Sequence, residues 1–317
     1  MRVFLTDGHY KHSLAALRSL NAKGIEVDVG SPMPDSLCFY SSAARGRHIL
    51  PNPQDHNEFV RALCKLDELR NYDAIVPVGY DSWSALVFCG QTLAPKVALP
   101  SAEAFLIASS KVETFKAARR LDIPTPESRV VSQTESIKDV ISKFSFPCVI
   151  KPALGSGDAR YAESKADAIS TCATMLRVSK GPLIVQEYVS GRGVGFFGLF
   201  DSGELRARFM HRRIREFPTA GGPSTCAESF FHEDIERYGI KILQSLNWNG
   251  VAMVEFKYDN KHGEPKLIEI NPKFWGSLDL AIAAGVDFPH LYVQLVVAGK
   301  APRTNHYRMG LRYQWPF

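Results

Sequence analysis

Apolar and polar positions alternate between two periods along the first hundred residues. "RVFLT" is a short apolar run that reads as a strand, "KHSLAALRSLNAKG" places Leu14, Leu17 and Leu20 at helical spacing before Gly24, and "IEVDVG" returns to a strand. Strand, helix, strand on this scale is a βαβ unit, which predicts a parallel sheet. The cycle continues with a helix over "FVRALCKLDELRNY", a buried strand over "DAIVPVG", a helix over "DSWSALVFCGQTLA" and a short strand over "KVALP". The opening turn "TDGHYKHS" has only Gly8 where a dinucleotide fingerprint needs three glycines, so a doubly wound domain without a nicotinamide cofactor is expected.

The rhythm changes after residue 108. In "SSKVETFKAARRLDIPTP", Ser110 and Glu113 form a capping box and Pro124 and Pro126 stop the helix. "SRVVS" and "FPCVIKP" flank a predicted helix, "TESIKDVISKF", and from "LIVQEYV" strands dominate to about residue 270. The expected organisation is α/β and α+β: a doubly wound parallel sheet over 1–108, a small α+β unit over 109–185 and a larger strand-rich unit over 186–317.

Composition narrows the class without choosing a chemistry. The chain has 317 residues, 45% hydrophobic, enough for more than one core. Its 38 basic and 33 acidic residues give a net charge of +5, which suits small anions and does not call for nucleic acid. Six cysteines stand singly, with no zinc-ligand spacing, and are expected to be reduced. The N-terminus lacks the apolar run of a signal peptide and no stretch approaches a membrane span, so a cytoplasmic protein is expected.

Four stretches carry candidate chemistry. In "VIKPALGSGDAR" a strand delivers Lys151 to a turn holding Gly155, Ser156 and Gly157. Glycines let backbone amides approach phosphate oxygens, although a plain hairpin turn reads equally well. Lys111 stands at the start of a capped helix, where an anion is favoured, or is simply a surface lysine. "LIVQEYVSGRG" offers a strand edge for a flat base with Tyr188 and Val189 covering its face, or is a core strand leaving its sheet. Finally, in "LIEINPKFWGSLDLA", Glu269 and Asn271 lie two apart on a strand and so share a face, with Pro272 holding Asn271 extended. "GVAMVEFKYD" places Glu255 on a neighbouring strand, expected to be antiparallel through "DNKHGEP". Two carboxylates and an amide oxygen make a hard-oxygen set suited to Mg²⁺; a lone acidic pair would more often be a salt bridge.

Taken in this order, Lys111, "VIKPALGSG", "VQEYV", "VAMVEF" and "IEINPKFWGSL", the motifs resemble the ATP-grasp superfamily, especially ligases similar to the carbamoyl-phosphate synthase large chain. The resemblance covers nearly the whole chain. It implies a pre-ATP-grasp domain followed by a two-lobed ATP-grasp domain. Lys111 and Lys151 would hold the ATP phosphates, Gly155, Ser156 and Gly157 would form the lid, and Gln186, Glu187, Tyr188 and Val189 would hold adenine. Glu255, Glu269 and Asn271 would ligate magnesium, two ions being expected and Mn²⁺ an acceptable substitute.

Two departures stand out. Gly193 replaces an acid that contacts the ribose in many relatives, leaving that role to another group such as Glu187, and Lys273 replaces an arginine after the Asn-Pro pair. In "LRARFMHRRIREFPTAGGPST", Arg206, Arg208 and Arg212 share a face if the segment is a strand, and Arg212 and Lys273 are the candidate catalytic cations on the acceptor side.

The resemblance implies an ATP- and Mg-dependent ligase that activates a small-molecule carboxylate as an acyl phosphate for an amine or similar nucleophile. Its alternatives are carbamoyl-phosphate-synthase-like activation of bicarbonate and a nucleotide-binding regulatory protein with little turnover. No nucleic-acid or membrane partner is expected; the oligomeric state is left open by the sequence, a homodimer being common among proteins of the type it resembles.

Overall fold

A computed structural model describes residues 1–154, 159–179, 181–217, 224–259, 262–304 and 306–315. Its first sheet contains β1 (Arg2–Leu5), β2 (Glu26–Ser31), β3 (Ala44–Ile49) and β4 (Ala74–Val76), all parallel in the order β3-β2-β1-β4. The period-two pattern decides the layers. Val3 and Leu5 pack with Leu17 and Leu20 of α1 (Lys11–Ala22) on one face. Phe4 and Ile75 pack on the other with Phe59 and Leu63 of α2 (His56–Arg70) and Leu86 of α3 (Tyr80–Cys89).

Two local expectations fail here. "KVALP" is not a strand: the Ala98 amide donates to the Tyr292 hydroxyl at 2.9 Å and the Leu99 carbonyl accepts from Asn249 Nδ2 at 3.3 Å, so side chains, not a strand neighbour, satisfy this backbone. β3 was not foreseen because its alternate positions Ala44, Gly46 and His48 carry little hydrophobic signal.

α4 (Ala102–Ser109) and α5 (Lys111–Arg120) follow, capped by Ser101 and Ser110 respectively. Ser110 Oγ accepts from the Glu113 amide at 3.3 Å, whereas the Glu113 carboxylate binds Lys116 at 2.8 Å, so only half of the capping box appears. The second sheet has the order β5-β8-β6-β7, entirely antiparallel, from β5 (Ser128–Val131), β6 (Cys148–Pro152), β7 (Arg160–Ala162) and β8 (Leu183–Glu187). α6 (Ile137–Ile141) and α7 (Lys165–Val178) cover one face, burying Cys148, Ile150, Leu183 and Val185. Alternation then sends Lys151 to the opposite face.

The third sheet runs β13-β12-β9-β10-β11-β14, built from β9 (Gly193–Asp201), β10 (Glu204–Glu216), β11 (Ser224–Ser229), β12 (Gly250–Asp259), β13 (Glu264–Asn271) and β14 (Arg312–Gln314). α8 (Glu233–Ser245) interrupts the run of strands and packs Ile235, Ile242 and Leu243 on Phe196, Met210 and Val254. On the other face Phe197, Phe209 and Met253 join Trp275, α9 (Leu278–Ala283) and α10 (Phe288–Ala298) in one core with α1 and the first sheet. The first and third sheets are therefore locked together through shared side chains. No helix among the described residues is long and apolar enough to cross a membrane.

Tyr292 is fully buried and its hydroxyl is the partner of a buried amide at this junction. Tyr292→Phe should lower stability by roughly 1–3 kcal/mol, because the Ala98 N–H is left without an acceptor. Urea unfolding of the two proteins measures it, and an unchanged midpoint would show that the pin does not matter.

Candidate active site

The β12–β13 ladder sets the frame. Glu255 lies directly opposite Glu269, and Met253 opposite Asn271, so the three polar side chains leave one face of the sheet as the sequence spacing requires. The two carboxylates are only 14% and 27% exposed. Asn271 Nδ2 donates to Glu269 Oε1 at 3.0 Å.

Cations from separate elements converge on this pair. Lys111, the first residue of α5, places Nζ 3.4 Å from Glu269 Oε2. Its amide donates to the Ala153 carbonyl at 3.0 Å, and Ser110 bridges Leu154, which ties the start of α5 to the end of β6. Lys151 of β6 is thereby delivered to the same site, within the fields of Glu269, Lys111 and Glu255. Arg213 Nη2 is 2.7 Å from Glu255 Oε2, and its Nη1 is 3.5 Å from Glu216 Oε1. Lys273 lies half-buried nearby, feels Glu269, Asp7 and Glu255, and shares a void of ≈ 20 Å³ with Lys111, Glu269, Asn271 and Tyr80 of the first sheet's α3.

Burial and charge oppose each other throughout. Burial lowers the Lys151 ammonium from 10.5 to about 8, against the pull of Glu269. Burial also lowers Lys273 and Lys257. It raises Glu255, which Arg213 opposes and Glu269 reinforces. At Glu269 burial likewise pushes upward, but Lys111 and Lys151 together outweigh it and hold the carboxyl below its usual range. One carboxylate of the pair is thus held charged by its lysines while the other leans on an arginine.

The expected base-binding segment lies at the end of β8. Gln186 is buried and donates to Ser128 Oγ at 3.1 Å. Both oxygens of Glu187 are engaged: Oε1 accepts from Lys266 at 2.9 Å and Oε2 from the Glu127 amide at 2.9 Å. Val189 is buried, whereas the Tyr188 ring is 37% exposed, with Lys257 Nζ 5.4 Å from its centroid and Tyr161 against its edge. Gly155, Ser156 and Gly157 lie outside the described residues.

Arg212 is not part of the cluster. It pairs with Glu228, which also holds Arg312, while Arg208 pairs with Glu236 of α8 and Arg206, at a bulge, with Asp201 at 2.7 Å and Glu204 at 2.8 Å. The guanidinium that reaches the carboxylates belongs to the next residue, Arg213. Strand parity held the signal: Phe209 and His211 are the buried partners of Phe197, and Arg213 continues their face. Glu216, Lys257 and Tyr80 were also missed, since none stands in a recognisable motif.

The donor set fits a hard divalent cation. Glu255 and Glu269 are adjacent, half-buried and of like charge, so a cation between them relieves repulsion as well as partial desolvation, and the Asn271 amide can turn its oxygen toward the same face. Two carboxylates and an amide oxygen are hard donors of the kind Mg²⁺ takes together with waters and phosphate oxygens.

The three sheets and their connectivity are those of the ATP-grasp fold. Residues 180–316 match the family model described as ATP-grasp in the biosynthetic pathway with Ter operon. A curated relative is the carbamoyl phosphate synthase large chain of Thermoanaerobacter pseudethanolicus, 25% identical over 232 residues that cover 70% of this chain and 21% of that one. The chain thus spans about a fifth of the length of that relative. The biotin carboxylase domain dimer of Hydrogenobacter thermophilus 2-oxoglutarate carboxylase, solved with MgADP, ADP and bicarbonate, superposes with a TM-score of 0.78 at 16% identity, covering 98% of this chain and 73% of that one. An L-amino acid ligase from Bacillus licheniformis gives 0.72 at 14% identity, covering 93% and 74%. These likenesses establish the fold.

Lys151 supplies a test that needs no ligand. Below pH 8 it is protonated in both the folded and the unfolded chain; between about 8 and 10.5 the folded chain has lost a proton that the unfolded chain keeps. The unfolded state binds more protons in that window, so this residue's contribution to stability rises with pH there. The wild type should therefore gain on Lys151→Met by about 1 kcal/mol per pH unit from pH 8 to 10, with a flat difference at neutral pH, above the range in which Glu269 titrates. Urea midpoints across the range check it; a flat difference throughout would mean that Lys151 titrates normally.

Proposed function

We propose that the chain is an ATP- and Mg-dependent ligase that activates a small-molecule carboxylate as an acyl phosphate and passes the acyl group to an amine or similar nucleophile. The observation that carries this reading is the convergence of Lys111 and Lys151, from α5 and β6, on Glu269 of a strand pair that also presents Glu255 and Asn271.

In this reading Lys111 and Lys151 hold phosphate oxygens of ATP, while the strand edge at 186–189 holds the base, with Tyr188 and Val189 on its face. Gly155, Ser156 and Gly157 close over the phosphates. Glu255, Glu269 and Asn271 hold Mg²⁺, as two ions, with Mn²⁺ as a substitute. The bound cation supplies charge neutralisation at the transferred phosphoryl group.

A substrate carboxylate oxygen attacks the γ-phosphorus, and the bond to the β-phosphate oxygen breaks with its electrons leaving on ADP. An amine then attacks the acyl carbon, the C–O bond to phosphate breaks, and the amine proton is released with inorganic phosphate. Lys273 and Arg213 stand where they can orient the acid, with Arg213 fixed by its two carboxylates. Positioning and charge are what such a transfer asks of a protein.

The three units proposed are 1–108, 109–185 and 186–317, with ATP held between the second and third. The biotin carboxylase neighbour is named a dimer, and we propose a homodimer here, which light scattering would test. Bicarbonate is the second acceptor to consider, because the carbamoyl phosphate synthase relative covers most of this chain.

The decisive experiment is release of phosphate from ATP with Mg²⁺, bicarbonate or a panel of organic acids, and an amine, followed by mass spectrometry of the coupled product. Acid-dependent release is expected, and Glu269→Gln should reduce it at least 100-fold while leaving the urea midpoint within about 1 kcal/mol, since the change removes a hard anionic ligand and almost no volume. ATP binding with no acid-stimulated release would overturn the ligase reading in favour of a nucleotide-binding regulator.

A further inference from the structure

A second, much larger cavity opens beside the candidate metal donors. It has a volume of ≈ 680 Å³ and is walled by the end of β10, the turn before β9, and the strands β11 and β14. Two register shifts between Arg213 and Glu216 bend the end of β10, so that Arg213, Arg215 and Glu216 all reach one space. Arg213 closes the inner end, where it binds Glu255 at 2.7 Å and Glu216 at 3.5 Å.

The remaining charge in the lining is positive. Among the described residues of the lining, Glu216 is the only carboxylate, and it is shared with Arg213. Arg215 is steadied by a neutral partner, Gln314 Oε1 at 2.6 Å, which fixes the guanidinium without cancelling its charge. Arg192 makes no ion pair among the described residues, and its backbone is fixed by the Tyr258 amide, which donates to its carbonyl at 3.1 Å. Between the charges lie apolar surfaces. Trp315 is 7% exposed and is anchored by its backbone amide to the Thr225 carbonyl at 3.0 Å, its indole N–H to Asp279 at 3.3 Å, and Lys11 Nζ 4.7 Å from its ring. Phe217 is 74% exposed on the lining.

We propose that this cavity is the acceptor subsite and that it takes an organic acid bearing a second anionic group, carboxylate or phosphate, joined by an apolar middle to the carboxylate that reacts. The reacting end lies toward Arg213 and the Glu255 donors. The distal anion is read by Arg192 and Arg215, whose planar guanidinium groups suit bidentate recognition, and the middle packs on Trp315 and Phe217. The space is in the range of organic-ligand sites and far exceeds what bicarbonate fills. The inference rests on the ligase reading for its assignment as an acceptor subsite, and on the cavity alone for anion binding.

Two measurements on the full chain separate these. Calorimetry without ATP compares adipate with hexanoate and with 6-phosphohexanoate, equal in chain length. The doubly anionic probes should bind at least tenfold more tightly than hexanoate. Arg192→Gln combined with Arg215→Gln should erase that preference, while Arg192→Lys combined with Arg215→Lys retains part of it and reports that folding is intact. Phosphate release with ATP, Mg²⁺ and ammonium should show the same order in kcat/KM, with the KM for ATP changed less than twofold in the Gln variant.

Equal binding of hexanoate and adipate, or a preference that survives the Gln variant, would overturn the subsite. Selective binding lost in the variant, with no acid-stimulated turnover by any protein, would retain the anion site and overturn the ligase reading, and with it the acceptor role. Whichever of adipate and 6-phosphohexanoate binds more tightly identifies the distal group.

Discussion

The interaction on which the rest of the site depends is an unfavourable one: Glu255 facing Glu269 across an antiparallel ladder. Like charges directly opposite on a sheet destabilise it, and burial makes each more costly. Such a pair persists only where positive charge is brought to it. Lys111 reaches Glu269 and Arg213 reaches Glu255, with Lys151 and Lys273 inside the same field. The ladder fixes where the carboxylates stand, and their repulsion dictates what must surround them.

Those cations come from elements with separate cores. Lys151 belongs to the second sheet, whose helices bury the opposite face of β6, and Lys111 begins the helix joined to it by the Lys111 amide. Lys273 follows β13, and Tyr80 reaches the site from the first sheet's third helix. The three sheets therefore meet electrostatically at one point.

Much of this was legible in the chain. The spacing of Glu269 and Asn271, the Pro272 lock and the turn between "GVAMVEFKYD" and "LIEIN" fixed both the shared face and the antiparallel partner, because strand geometry leaves little freedom once the period is two. The βαβ opening was legible for the same reason. "KVALP" was misread because its composition is that of a strand while Tyr292, nearly two hundred residues away, takes its hydrogen bond. The choice between Arg212 and Arg213 turned on strand parity, since Arg213 continues the face of Phe209 and His211, a cue that adjacent arginines at the bulged end of β10 obscure.

The departure at Gly193 has a steric account. A Cβ there would lie 2.8 Å from Arg213 Cδ and 3.0 Å from Glu216 Oε1, so any side chain, the expected acid included, would displace the arginine that braces Glu255. Glu187 does not offer a spare carboxylate in its place, since Lys266 and the Glu127 amide hold both oxygens. The bare backbone at 193 and the position of Arg213 are thus linked, because the Arg213 side chain lies where a side chain at 193 would stand. That guanidinium stands between the Glu255–Glu269 pair and the large cavity. Its position, set by a glycine on the neighbouring strand, determines how close a ligand in the cavity can approach the carboxylate pair.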